Sequence, residues 1–526
     1  MLEKNKHKIF GLLILLFFWS CSDTKDNHSP NIIIIYADDL GYGDLGCYGA
    51  TMVSTPNIDK LAKEGKMFMD AHSPSAVCTP SRYSLLTGEY AWRINQWGPL
   101  RYDMPLIIDT TRFTLPKLLK QNGYATASIG KWHLGFGSDT TDWNKTLNPG
   151  PLEIGFDYYF GVPLVNSHAP FVYVENHQVV GLDKKDPFIL RNHMGKDVYE
   201  HELPPSPVQK FPEKGGMERW AGAIKAHEFY RDEFIGTTLK NKSVEWVKDH
   251  VEKNGKEPFF LLLSTTNIHH PFTPHPRFNG TSKAGRYGNF IHELDWIVGE
   301  LLSEIEKLKI EENTIVIFTS DNGGMLNLGG RDAWDAGHKI NGNLLGFKFG
   351  AWEGGHRVPF IIRWPNQIKA GSQSNQLLSQ IDLFATIAAL LNTPISEKDA
   401  PDSFNMLRSI LGDPKEPLRD HAIFAPAKKT HLTIRKGKWV YIGAQGSGGF
   451  GGLYGGPGAV AYTKQKNSDI ADDGTFHFNA PKSQLYDLSA DPYQTTNVVN
   501  NYPDIAEELS GLLEYYKSSN RSVERK

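Results

Sequence analysis

Three stretches of almost unbroken apolar character constrain the fold of this chain most. They are residues 31–36 (Asn-Ile-Ile-Ile-Ile-Tyr), 258–265 and 314–319. A strand with one wet face alternates apolar and polar residues. A short continuous apolar run between turn signals is instead a strand covered on both sides, as in the parallel sheet of an α/β protein. Each run ends in polar residues that can carry chemistry: Ala37-Asp38-Asp39-Leu40-Gly41, Asn267-Ile268-His269-His270-Pro271 and Ser320-Asp321-Asn322-Gly323-Gly324. A fourth strand, expected over 124–129, delivers Gly130-Lys131-Trp132-His133-Leu134-Gly135 in the same way. Open α/β sheets place their ligands outside such strand ends.

The rest of the chain agrees with this frame. Helices are expected over 115–121, 229–250 and 291–308, the last with Leu294, Ile297, Val298, Leu301 and Ile305 at core spacing. Residues 148–217 lose periodicity, and irregular segments of this kind often carry specificity. His168 within them is a candidate substrate contact, with a structural loop histidine as the alternative. Residues 358–364 are expected as the last long strand, followed by a helix over 377–391. Beyond a polar, proline-containing segment, 422–425, 430–435 and 439–442 suggest a small antiparallel sheet, then a glycine-rich loop (443–458) and a closing helix (503–517). The expected organisation is a large mixed, mainly parallel sheet flanked by helices over 31–415, with a smaller α+β subdomain over 416–526.

One helix start stands apart. In Val77-Cys78-Thr79-Pro80-Ser81-Arg82, Thr79 is expected to cap the helix, Pro80 to open it and Gly88 to stop it. Cys78 would then lie beside unpaired N–H groups and the positive dipole end, with Arg82 one turn on, an arrangement that acidifies a thiol. The plainer alternative is a buried structural cysteine. Asp38-Asp39 and Asp321-Asn322 each offer paired oxygens at a strand end that suit a hard divalent cation, with a solvated acidic turn and an ordinary glycine loop as the plainer alternatives. Lys131 and His133 point the same way if the chain stays extended between them.

The N-terminus reads as an export signal. Lys4, Lys6 and Lys8 precede an apolar run over 9–19 that is too short to span a bilayer. Ser20-Cys21 follows, then a polar linker to residue 30, which resembles a bacterial lipoprotein signal with Cys21 as the lipidated residue. This predicts a signal over 1–20, a linker over 21–30, lipoprotein processing machinery as a partner, and a periplasmic or outer-membrane location, with a plain secretory signal as the alternative. The chain has 3 cysteines, too few for a disulfide framework, and a net charge of −3, which gives no reason to expect nucleic acid.

The pattern Cys78-x-Pro80-x-Arg82 followed by Leu86-Thr87-Gly88 resembles the activation signature of the type I, formylglycine-dependent sulfatases of the alkaline phosphatase-like superfamily. The opening strand with its Asp38-Asp39 pair, the Gly130–Gly135 motif, His269 before Pro271, Asp321-Asn322-Gly323, and Lys348 ahead of Glu353-Gly354-Gly355 recur in the family's order. Phe347 stands where the family has glycine. The resemblance implies that a maturation enzyme oxidises Cys78 to formylglycine (3-oxoalanine). It also implies one Ca²⁺ held by Asp38, Asp39, Asp321, Asn322 and the converted Cys78. Lys131 and Lys348 would hold sulfate, Arg82 would offset charge, His133 would steady the nucleophile, and His269 would sit near the leaving group, with its neighbour His270 as the alternative. A sulfated carbohydrate is the implied substrate. The rivals are a phosphonate or phosphate ester hydrolase of the same superfamily and a catalytically silent glycan-binding lipoprotein.

Overall fold

The computed structural model describes residues 29–190, 220–326 and 328–524, so Cys21 and its leader lie outside the described residues. Its main sheet has ten strands. They are β1 (Asn31–Ala37), β2 (Lys66–Phe68), β3 (Ala125–Gly130), β4 (Tyr158–Gly161), β5 (Val174–Glu175), β6 (Gln178–Val179), β7 (Phe259–Ser264), β8 (Thr314–Ser320), β9 (Phe360–Arg363) and β10 (Ser372–Ser374). Their spatial order is β10-β2-β9-β8-β1-β7-β3-β4-β5-β6. The centre is parallel: β1 lies between β7 and β8, with Ile34 opposite Leu262 on one side and Ile317 on the other. β9 runs antiparallel to β8, which makes the sheet mixed.

The unbroken apolar runs are explained by burial on both faces. Ile32, Ile34 and Tyr36 pack into one core and Ile33 and Ile35 into another, the period of two expected of a strand. Helices cover both sides, among them α1 (Pro56–Glu64), α2 (Cys78–Thr87), α3 (Leu115–Gln121), α4 (Ile235–Asn254), α5 (Gly285–Lys307) and α6 (Leu383–Leu390). The helix expected over 377–391 is shorter, because Leu378–Ser379 pairs with Ala71–His72 as a two-residue strand before it. The region read as irregular contributes β4, β5 and β6 at the sheet edge, runs too short to show a period, while 191–219 lie outside the described residues.

A separate four-stranded antiparallel sheet follows: β11 (His421–Phe424), β12 (Thr433–Lys436), β13 (Trp439–Ile442) and β14 (Gln484–Asp487). The closing helix α7 (Pro503–Ser518) packs on it through Leu509 and Leu513. Among the described residues no helix is long and apolar enough to cross a membrane, and Cys47 and Cys78 are both free thiols.

Candidate active site

Three adjacent strand ends are tied together by their backbones. The Asp38 amide donates to the Asn267 carbonyl after β7, and the Asp321 amide after β8 donates to Ala37. The turn puts Asp39 in the left-handed region (φ 60°), where its amide reaches Asp321 Oδ1 at 3.2 Å. Asp38, Asp39 and Asp321 thereby offer three oxygens within 4.8 Å of one another, all buried.

Cations from other elements close around them. Gly130 ends β3 at φ 122°, and a Cβ there would lie 1.7 Å from the Ser264 carbonyl, so only glycine lets the chain turn. The turn aims Lys131 at Asp38, Nζ to Oδ1 2.7 Å and to Oδ2 2.8 Å. Arg82, on the second turn of α2, donates to Asp321 Oδ2 from Nε at 3.1 Å and from Nη2 at 2.7 Å, with its guanidinium 5.2 Å from the Tyr36 ring centre. Lys348 Nζ pairs with Asp39 Oδ1. Three carboxylates thus meet three fixed cations.

The electrostatics follow from this crowding. Burial and the neighbouring carboxylates Asp321 and Asp39 push the Asp38 carboxyl up to about 7, against the pull of Lys131. Burial also raises Asp321, but Arg82, Lys131 and Lys348 outweigh it and leave that carboxyl below its ordinary value. Burial works against the Lys348 ammonium, yet Asp39 wins and holds it well above the usual lysine range.

Two buried oxygens here have no hydrogen-bond partner: Asp39 Oδ2 and Asn322 Oδ1. Asn322 uses its amide nitrogen on Asp39 Oδ1 at 2.9 Å, which leaves its oxygen free. A buried unpartnered oxygen is costly, and an all-oxygen set of three carboxylates and one amide is the donor chemistry of Ca²⁺ or Mg²⁺. These residues fit a hard divalent cation.

α2 begins at Cys78, two residues before the expected start at Pro80, with Val77 as the uncapped entry residue. The hydroxyl of Thr79 is spent elsewhere: it donates to the His133 carbonyl at 2.9 Å and accepts from the Leu100 amide at 3.1 Å. The expected acid thiol is not observed. Burial pushes the Cys78 thiol up, and the pull of Lys131 and Lys348 does not overcome it. Gly88 closes the helix at φ 64°, as expected.

His133 Nδ1 lies 3.4 Å from Cys78 Sγ, and its Nε2 faces the Leu100 carbonyl at 3.1 Å. A carbonyl accepts only, so Nε2 carries the proton and Nδ1 presents a lone pair to Cys78. Burial and Lys131 hold this ring neutral, well below the ordinary histidine value. His269 is also neutral, through burial and then Lys348. Its Nδ1 donates to the His270 carbonyl at 2.6 Å, and Nε2 stands 3.8 Å from Asp39 Oδ2. His168 is exposed, with Nδ1 2.8 Å from Ser167 Oγ, two residues after Asn166, whose side-chain amide donates to the His269 and Pro271 carbonyls at 3.2 and 3.0 Å. A nucleophile position flanked by a base, a carboxylate cluster and fixed cations can transfer an anionic acyl-like group such as a sulfuryl.

The Sulfatase family model matches residues 30–393. The chain belongs to the sulfatase family. It is a sulfuric ester hydrolase by that membership. An N-acetylgalactosamine-6-O-sulfatase of Bacteroides thetaiotaomicron is 41% identical over 508 residues, covering 94% of both chains. Human arylsulfatase H is 32% identical over 73% of each. A solved Bacteroides thetaiotaomicron sulfatase, described in connection with the metabolism of multiple glycosaminoglycans, superposes with a TM-score of 0.79 at 39% identity, covering 94% of this chain and all of that one.

Several parts of this sulfatase's site carry no motif. Ser264 Oγ accepts from Arg82 Nη1 at 3.2 Å, and Tyr36 beneath Arg82 is anchored through its hydroxyl to Gln380 Oε1 at 2.8 Å. Tyr36 breaks an otherwise aliphatic run, which is the one signal that could have marked it. Glu293, on α5, accepts from Asn267 Nδ2 at 3.0 Å and buttresses the loop that carries His269. Its position beside the apolar stripe gave no hint of burial.

Proposed function

We propose that this sulfatase removes sulfate from a sulfated carbohydrate, using formylglycine made from Cys78 by a maturation enzyme and one Ca²⁺ held by Asp38, Asp39, Asp321 and Asn322. The observation that carries the reading is the pairing of Cys78 with the lone pair of His133, beside a carboxylate cluster with two unpartnered oxygens. The Cys78 sulfur stands where oxygens of the hydrated aldehyde would stand. That conversion would supply two hydroxyls, one to attack sulfur and one whose deprotonation releases sulfate. The cation would supply charge neutralisation for the sulfate oxygens.

The chain's own groups do the rest. His133 Nδ1 is placed and unprotonated, so it takes the proton from the group at position 78. Lys131 and Lys348 hold the anionic ester from two sides. Three carboxylates against three cations leave the site without net charge, so a divalent cation makes it attractive to an anion. His269 Nε2 carries the lone pair of the neutral ring, since Nδ1 donates to the His270 carbonyl. An anionic substrate beside it favours its protonated form, from which it donates to the leaving sugar oxygen with Lys348 alongside.

The name of the 41% identical bacterial relative makes a 6-O-sulfated N-acetylgalactosamine the first substrate to try. The leader supports export, with lipidation at Cys21. A metal-dependent phosphate or phosphonate ester hydrolase is the competing reading, favoured by a second set of ligating atoms on Asp39, His269 and His270. Two assays separate the readings. Cys78→Ala, made where the maturation enzyme is present, should abolish sulfate release while the protein stays folded; retained sulfate release refutes the nucleophile. Elemental analysis should find one calcium per chain; two zinc ions with phosphatase activity would favour the competitor.

A further inference from the structure

The glycine-rich loop after β13 is packed tightly onto the site segment, and its aromatic residues have no part in the sulfate chemistry described above. The Ala351 amide donates to the Ser447 carbonyl at 2.6 Å and the Lys428 amide to Gly448 at 2.9 Å. At Gly455 (φ 72°) a Cβ would come within 2.3 Å of the Lys348 carbonyl, so the loop backbone lies directly against the residue that pairs with Asp39. A loop held so closely nonetheless turns two large rings outward, Phe450 at 42% exposure and Tyr454 at 48%.

Those rings continue an aromatic surface that starts at Cys78. Phe349 is buried in one apolar cluster with Val77, Cys78 and Met325. Lys348 Nζ lies 5.1 Å from the Phe349 ring centre. Phe450 packs on Phe349 at 4.8 Å between centres, and Tyr454 follows at 6.5 Å. One wall of the sulfate pocket is therefore aromatic and leads out to solvent through Phe450 and Tyr454. A pyranose ring has the complementary shape: its C–H face is apolar, while its hydroxyls and sulfate project from the rim.

We propose that Phe450 and Tyr454 form a stacking platform for the sugar ring that carries the sulfate, and so add ring-dependent affinity to that of the sulfate group. This rests on the carbohydrate sulfatase reading above. With a C–H face on the platform, the sulfate reaches inward to Lys131 and Lys348.

The test uses the mature full-length enzyme with Phe450→Ala, Tyr454→Ala and Phe450→Tyr. Steady-state kinetics on a 6-O-sulfated hexosamine would be measured beside inhibition by inorganic sulfate, which has no ring to stack. Each alanine variant should raise KM roughly three- to tenfold with kcat nearly unchanged, the size of an aromatic stacking contact. Inhibition by inorganic sulfate should not change, and Phe450→Tyr should restore the parent KM. An unchanged KM in both alanine variants overturns the platform. So does a weakening of inorganic sulfate in parallel with KM, because that would place the damage in the anion pocket. If the parent enzyme releases sulfate from no sulfated sugar, the carbohydrate reading fails and the platform with it, an outcome distinct from normal parent turnover with unaffected variants.

Discussion

Glu293→Gln offers a quantitative test of how the His269 loop is supported. Glu293 is buried on α5, with Oε2 accepting from Asn267 Nδ2 at 3.0 Å and Oε1 from the His275 amide at 3.3 Å. Burial pushes its carboxyl up from 4.5 to about 7, and the two hydrogen bonds and the charge of Arg277 offset this only in part. The sign follows from proton binding. Between pH 4.5 and 7 the folded state keeps a proton that the unfolded chain has lost, so stability falls as pH rises through that window and is level above it. At 1.36 kcal/mol per unit the loss totals about 3 kcal/mol. Glutamine cannot ionise, so the variant escapes that loss. Its amide nitrogen faces a donor, however, at a pH-independent cost of about 1 kcal/mol. The variant should be less stable than the parent near pH 5 and more stable by about 2 kcal/mol near pH 8.5. With an unfolding entropy of about 2 cal/mol/K per residue, a chain of this length converts each kcal/mol into roughly 1 °C. Differential scanning calorimetry across pH 4–9 should show the two melting temperatures crossing at about pH 5.2. A constant offset at every pH would refute the argument that this carboxyl is destabilised when charged.

Asp321→Asn should remove bound cation, read by elemental analysis, and strand the buried Arg82 guanidinium, lowering stability by about 3–5 kcal/mol. Chelator should lower the parent's melting temperature and excess calcium restore it, since a ligand at 100-fold its Kd adds about 2.7 kcal/mol; a melting temperature indifferent to both would contradict the cation site. Lys131→Met should reduce kcat/KM by about 100- to 1,000-fold, the size expected for losing a fixed charge on a developing anion, and a loss under threefold would remove it from the sulfate site.

The centre of the fold was legible because strands buried on both faces write themselves as apolar runs, and the polar residues closing those runs are the ones the structure gathers. Burial itself was not legible. It reverses the acid shift expected of Cys78, since desolvation outweighs the helix start and the two lysines. Thr79 looked like a cap, but its hydroxyl is committed to His133 and Leu100, a tertiary contact that local spacing cannot show. The sheet-edge strands β5 and β6 are two residues each, below the length at which periodicity exists. Glu293 acts through Asn267, tens of residues away, and belongs to no pattern in the sequence, while Phe349 stands within the Lys348 motif but meets Cys78 and Phe450 only through the fold.

The chemistry proposed at position 78 can be read directly from the mature protein. Mass spectrometry of the peptide spanning Cys78, taken from active enzyme made in its native compartment, should find an aldehyde in place of the thiol, trappable by a hydrazine. The fraction converted should scale with sulfate release across preparations. Full sulfate release from protein whose Cys78 is entirely thiol would contradict the account at its base.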